Sequence, residues 1–137
     1  MRKYIIASHG KFAEGIRNSA EMILGPQKDL QVICAYLEAG FDLKREIKRV
    51  LEKIPPGSEV IIFTDLFGGS VNNACLSGKG DHDYHLIAGI NLCLLLSVLT
   101  APADEPLEQT IESAIRTAKD QIVYCNKKDL VLEDENF

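Results

Sequence analysis

Four short apolar runs, each separated from the next by a segment of helical periodicity, constrain this chain more than any other feature. The runs are Tyr4–Ser8, Leu30–Tyr36, Val60–Thr64 and His85–Ile90. Between them, Ile16, Ala20 and Ile23 share one face of a helix expected over Ala13–Leu24. Leu43, Ile47, Val50, Leu51 and Ile54 recur at the same spacing, with Asp42 as a plausible N-cap. Gly25-Pro26 and Pro55-Pro56-Gly57 stop these helices, since glycine accepts a left-handed cap and proline cannot continue a helix. A glycine loop after Thr64 leads into a short helix with Ser70 near its start, and Gly78–Asp83 reads as a turn. Further helices are expected over Leu92–Leu99 and along Leu107, Ile111, Ala114, Ile115 and Ala118. Ile122–Cys125 reads as a short final strand.

Val60–Thr64 is apolar almost throughout, which suits a parallel strand covered on both faces. Strands alternating with helices give an α/β fold: a doubly wound, mostly parallel open sheet with helices on both faces. There is no internal repeat and no low-complexity linker. Residues 1–137 are therefore expected to form a single domain, with 129–137 an acidic tail.

Composition narrows the function classes. Among 137 residues, 46% are hydrophobic and 26% charged, an ordinary globular balance, and the formal net charge is -5. An acidic chain has no general attraction for a polyanion, so no nucleic-acid partner is expected. The opening residues lack a signal-peptide core, and Leu86–Leu99 holds Gly89 and Asn91 and is too short to span a bilayer. The expected location is cytoplasmic. Cys34, Cys75, Cys93 and Cys125 form no CxxC pair and no zinc-type spacing, and read as small buried thiols in a reducing compartment. His82 and His85 flank Asp83 and Tyr84; a metal pair is conceivable there, but surface or core placement is the simpler reading. Neither a cofactor nor a metal is expected.

The chemistry gathers at two strand exits. In an open α/β sheet, reactive groups collect beyond the carboxyl ends of the strands. His9 follows the first strand in Ser8-His9-Gly10, and Asp65 follows the third in Thr64-Asp65-Leu66-Phe67-Gly68-Gly69-Ser70. If those strands are neighbours, both side chains rise from one edge. Imidazole has a free pKa of about 6.5 and is a good nucleophile when neutral. A carboxylate that takes the proton of one ring nitrogen fixes the tautomer and leaves the lone pair on the other. Glycine-loop amides and a helix N-terminus at Ser70 can cradle an anion such as phosphoryl. Each piece also has a plain reading: His9 as a loop residue, Asp65 as a cap, Gly68-Gly69-Ser70 as a tight turn without Rossmann spacing or a Walker lysine.

Three segments together carry a resemblance. Ile5-Ile6-Ala7-Ser8-His9-Gly10, with Phe12-Ala13-Glu14-Gly15 and Ser19–Gly25, resembles the opening of the IIA domains of the mannose family. These belong to the bacterial phosphoenolpyruvate-dependent sugar phosphotransferase system. Phe63–Ser70 with Asn72 and Ala74, and Leu86–Leu92, are similar to that family's later signatures; the resemblance covers residues 3–120. It implies a cytoplasmic phosphotransferase component that accepts a phosphoryl group from the phosphocarrier protein HPr. The group passes to a histidine of a IIB protein, and from there to the sugar taken up by a membrane permease. It implies further that His9 is phosphorylated and that Asp65 orients it. Gly10, Gly68, Gly69 and Ser70 would line the phosphoryl pocket, with Asn72 a weaker candidate for shaping it. A homodimer through an exchanged C-terminal strand, here Ile122–Cys125, is implied as well. Two prolines common in the family are missing: Val71 follows Ser70, and Cys93 follows Asn91-Leu92.

Rival functions follow from the same residues. One is a regulatory protein of this fold that acts through phosphorylation-dependent partner binding. Another is a phosphohistidine hydrolase, since Ser8-His9-Gly10 is similar to the Arg-His-Gly of histidine phosphatases; Ser8 stands where the phosphate-clamping arginine would be. A flavodoxin-like ligand domain is disfavoured by the short glycine loop and the absence of tryptophan.

Overall fold

A parallel sheet grows outward in both directions from its first strand. The computed structural model describes residues 1–80 and 82–127. Its elements are β1 (Arg2–His9), α1 (Phe12–Leu24), β2 (Leu30–Ala35), α2 (Leu43–Glu52), β3 (Glu59–Thr64), α3 (Ser70–Gly78) and β4 (His85–Ala88). These lie in one compact unit, Met1–Ile90. A second unit begins at Asn91 and holds α4 (Leu92–Leu99), α5 (Leu107–Asp120) and a 3-10 turn at Cys125–Lys127.

The strand order is β2-β1-β3-β4, with every neighbouring pair parallel. From β1 the chain first steps to one side, to β2, then crosses back past β1 to β3. Because such crossovers are right-handed, the reversal sends α1 to one face of the sheet and α2 and α3 to the other. The burial pattern agrees. On one face Ile5, Ala7, Ile33, Val60 and Ile62 pack with Leu43, Ile47, Val50 and Leu51 of α2 and Val71 and Cys75 of α3. The alternate residues Ile6, Ser8, Ile61 and Phe63 are also fully buried, as are Ala13 and Ala20 of α1. A strand buried on both faces needs an unbroken apolar run, and β1 and β3 supply it.

Local signals set the boundaries. Asp42 caps α2 by accepting from the backbone N–H of Arg45 (3.1 Å). Buried Ser8 accepts from the backbone N–H of Ala13 (2.8 Å) and so ties the end of β1 to the first turn of α1. β1 starts earlier than its apolar run because Arg2 and Lys3 pair with Glu59 and Val60. β4 ends at Ala88 rather than Ile90: Gly89 turns the chain at φ +80°, although the Ile90 N–H still reaches the Thr64 carbonyl.

In the second unit, Asn91 caps α4 through the Leu94 N–H (2.8 Å). Buried Thr110 of α5 donates to Glu105 (2.6 Å). The expected strand at Ile122–Cys125 does not form: 122–124 have no regular structure, and the Lys127 N–H bonds to the Tyr124 carbonyl. A strand is defined by its ladder, and this segment meets no partner strand within the described chain; Ile122 and Tyr124 stand exposed. The acidic tail expected over 129–137 lies outside the described residues. The cysteines are all free, but only Cys75 is buried; Cys34 and Cys93 are half-buried and Cys125 is exposed. No helix among the described residues is long and apolar enough to cross a membrane.

Candidate functional site

Where a doubly wound sheet reverses direction, the loops leaving the two central strands part and open a crevice. Here that point falls between β1 and β3. The last residue of β1 is His9, and the first residue beyond β3 is Asp65. The side chains meet: Asp65 Oδ2 lies 2.7 Å from His9 Nδ1 and also accepts the His9 backbone N–H at 2.7 Å. Asp65 Oδ1 accepts from the Leu66 N–H (2.9 Å). The carboxylate is thus held at both oxygens while it grips the histidine by ring and backbone. Desolvation pushes the Asp65 carboxyl up, but the His9 backbone N–H, the imidazole and the Leu66 N–H together hold it below its ordinary value.

A carboxylate at Nδ1 makes that nitrogen the proton carrier and leaves Nε2 with the lone pair. Nε2 faces Ser70, whose Oγ is 3.2 Å away at the first residue of α3. The first-turn amides of a helix donate to no helix carbonyl, so this N-terminus offers donors and a positive field beside Nε2. The imidazole remains reachable, with its side chain 45% exposed against 12% for Asp65.

The glycine loop makes this approach possible. Gly68 holds φ +76°, a left-handed conformation open to glycine. A Cβ on Gly69 would sit only 3.3 Å from Leu66 Cβ, so a side chain there would crowd the loop's own start, while it would reach ordinary contact, 3.7 Å, with His9 Cε1. Gly10, also left-handed at φ +55°, turns the chain out of β1 and bonds through its N–H to the Ala35 carbonyl (2.8 Å).

Asn72 anchors the base of α3. It is buried, and its Oδ1 accepts from buried Thr64 (2.7 Å), which fastens α3 to the end of β3. Its neighbour Asn73 holds the loop by donating to the Gly68 carbonyl (3.1 Å). His82 and His85 are at the amino-terminal end of β4, the opposite rim from His9, and no cluster of three metal-ligating side chains forms among the described residues.

One residue escaped the sequence reading. Tyr36, just past β2, donates from its hydroxyl to Ser70 Oγ (3.0 Å), and its ring is 5.5 Å from the His9 ring, centroid to centroid. Around the same rim, Phe12, Leu37, Leu66 and Phe67 expose apolar surface, Phe67 to 87%.

An accessible imidazole at a strand exit, one nitrogen held by a carboxylate and the other beside a hydroxyl and a helix N-terminus, has the parts that phosphoryl transfer through a histidine requires. Comparison with known proteins gives this class its family. The family model described as "PTS system fructose IIA component" matches residues 3–115. The fructose-specific EIIA component of Bacillus subtilis (strain 168) is 28% identical over 93% of this chain and 88% of its own length. The mannose-specific EIIAB component of Escherichia coli (strain K12) is 30% identical over 90% of this chain. The chain spans only 39% of that longer protein. A solved protein from Klebsiella pneumoniae, described as a permease of the phosphoenolpyruvate-dependent sugar phosphotransferase system, is 41% identical. It superposes with a TM-score of 0.86 over 92% of each chain. The chain belongs to the mannose/fructose family of phosphotransferase-system IIA components. Its family-level function is to relay phosphoryl groups through a histidine, as a phosphotransferase component of sugar transport.

Proposed function

We propose that His9 is the relay histidine and that phosphoryl enters and leaves through its Nε2. The observation that carries this is the 2.7 Å contact between Asp65 Oδ2 and Nδ1, which commits the other nitrogen to the lone pair. Attack forms the Nε2–P bond as the donor's P–N bond breaks, and that bond's electron pair returns to the donor imidazole. The phosphorylated ring keeps its Nδ1 proton and so carries a positive charge, which the Asp65 carboxylate balances. Ser70 and the first amides of α3 cradle the equatorial oxygens. Gly10 and Gly68 give the loops their left-handed turns, Gly69 leaves room beside Leu66, and Asn72 shapes the pocket from behind by tying α3 to β3 through Thr64.

The donor in this reading is phospho-HPr and the acceptor a separate IIB protein, with a membrane permease served indirectly and the relay working in the cytoplasm. Two carrier histidines reach one phosphorus only if their surroundings dock, and the exposed Phe12, Leu66 and Phe67 around the ring supply apolar surface for it. Residues 1–137 act as one phosphocarrier domain. It forms a homodimer in which the segment at Ile122–Cys125, exposed and unpaired in the single chain, becomes a strand on a second copy.

Incubating the purified chain with phosphoenolpyruvate, enzyme I and HPr tests this. The expected result is an acid-labile, base-stable phosphate on wild type and none on His9→Ala. Label that survives His9→Ala would overturn the assignment.

A further inference from the structure

Tyr36 occupies a conformation its residue type does not favour. Its φ is +66°, and it is the only non-glycine residue with positive φ among those described. The left-handed positions at the neighbouring strand exits, Gly10 and Gly68, are glycines. A bulky residue in that region costs free energy that glycine would avoid, and such strain concentrates where a side chain must be aimed. The side chain here is aimed at the site. Its ring packs edge-on against Phe41 (6.2 Å between centroids) and tilts at 50° over the His9 ring. Its hydroxyl donates to Ser70 Oγ, the same oxygen that lies 3.2 Å from Nε2.

We propose that Tyr36 is a positioning residue for the phosphoryl transfer, acting through Ser70 by holding its Oγ in place and directing its proton toward Nε2. This rests on His9 being the relay histidine. A serine hydroxyl has one proton and two lone pairs. With one lone pair taken by Tyr36, the Ser70 proton is directed at Nε2, which favours the ring tautomer protonated on Nδ1. Asp65 demands the same tautomer from the other side, so the two contacts select one ring state from both ends. Accepting a hydrogen bond also makes a hydroxyl a better donor. As phosphorus reaches Nε2, the Ser70 proton turns to an equatorial phosphoryl oxygen, while Tyr36 keeps Oγ where that oxygen arrives. No bond to Tyr36 is made or broken. Its hydroxyl keeps its proton throughout.

The experiment compares wild type, Tyr36→Phe, Ser70→Ala and the double variant for single-turnover phosphorylation by phospho-HPr. Tyr36→Phe keeps the ring and its packing and removes only the hydroxyl. The expected loss is about fivefold in the maximal rate, the effect of one neutral hydrogen bond felt in the transition state, with the concentration of HPr at half-maximal rate unchanged. In the Ser70→Ala background, Tyr36→Phe is expected to cost nothing further. The ¹⁵N shifts of the His9 ring should move in Tyr36→Phe toward a larger share of the Nε2–H tautomer. Three results would overturn the proposal: an unchanged maximal rate, an equal loss with and without Ser70, or a loss only in half-saturation, which would make Tyr36 a docking residue. Wild type failing to label at His9 would instead overturn the relay assignment on which the proposal rests.

Discussion

Replacing Asp65 by asparagine changes one atom and strikes the site at its pivot. The carboxylate makes three acceptor contacts: Oδ2 to the His9 N–H and to His9 Nδ1, Oδ1 to the Leu66 N–H. Asparagine has one carbonyl oxygen and one NH₂ group, and neither orientation satisfies all three. With its oxygen toward His9, the NH₂ points at the Leu66 N–H, donor against donor. With the NH₂ toward His9, it meets the His9 backbone N–H and forces Nδ1 to accept, which moves the ring proton to Nε2 and blocks the attacking lone pair. Both orientations also remove the charge that balances the phosphorylated ring. A hydrogen bond to a charged group contributes about 1.5–3 kcal/mol. At about 1.4 kcal/mol per decade, Asp65→Asn should therefore slow transfer from phospho-HPr by about 10- to 150-fold. Rapid-quench single turnovers measure this, with circular dichroism to show that the variant is folded. Transfer at the wild-type rate by a folded variant would refute the reasoning, because it would mean that the carboxylate neither selects the tautomer nor supports the charge.

The same carboxylate predicts acid behaviour. Asp65 is held below its ordinary 3.8 in the fold, so its stabilising contribution is complete above that value and disappears as pH falls through the lower folded value. The urea stability difference between wild type and Asp65→Asn should shrink as pH falls below 3.8; a difference that grows below that pH would contradict this. Burial pushes the Cys75 thiol up to about 11, so Cys75 should resist iodoacetamide at pH 8 until the chain is unfolded, while exposed Cys125 reacts at once, as read by mass spectrometry. Thr64→Val leaves the buried Asn72 oxygen without its donor and should cost about 1–3 kcal/mol in urea unfolding with an unchanged m-value. A neutral substitution would show that the Thr64–Asn72 contact does not hold α3 to the sheet.

Much of this site was legible in the sequence because parallel topology converts strand order into proximity. Once four apolar runs alternate with helices, the ends of the first and third strands lie on one rim; that His9 and Asp65 meet there needed β1 and β3 to be neighbours, which the strand order supplies. Ser70 was legible for the same reason, as the first residue after a glycine loop. The contact through which Asn72 would shape the pocket was not, because helical phase is invisible at this scale: Asn72 and Asn73 are adjacent, about 100° apart around the axis, and only the packed helix decides which one faces the core. Tyr36 was illegible because its left-handed backbone and its reach to Ser70 depend on where β2 ends beside β1, and nothing in Cys-Ala-Tyr-Leu announces a turn. The strand expected at Ile122–Cys125 carries a β-like composition, but a strand exists only where a partner completes its ladder.

The most direct measurement concerns which ring nitrogen carries phosphorus. Two-dimensional ¹⁵N NMR of the phosphorylated chain, labelled in histidine, distinguishes the two. Phosphorus on His9 Nε2, with Nδ1 still protonated, is the expected result; phosphorus on Nδ1, where Asp65 sits, or on His82 or His85, would contradict the account.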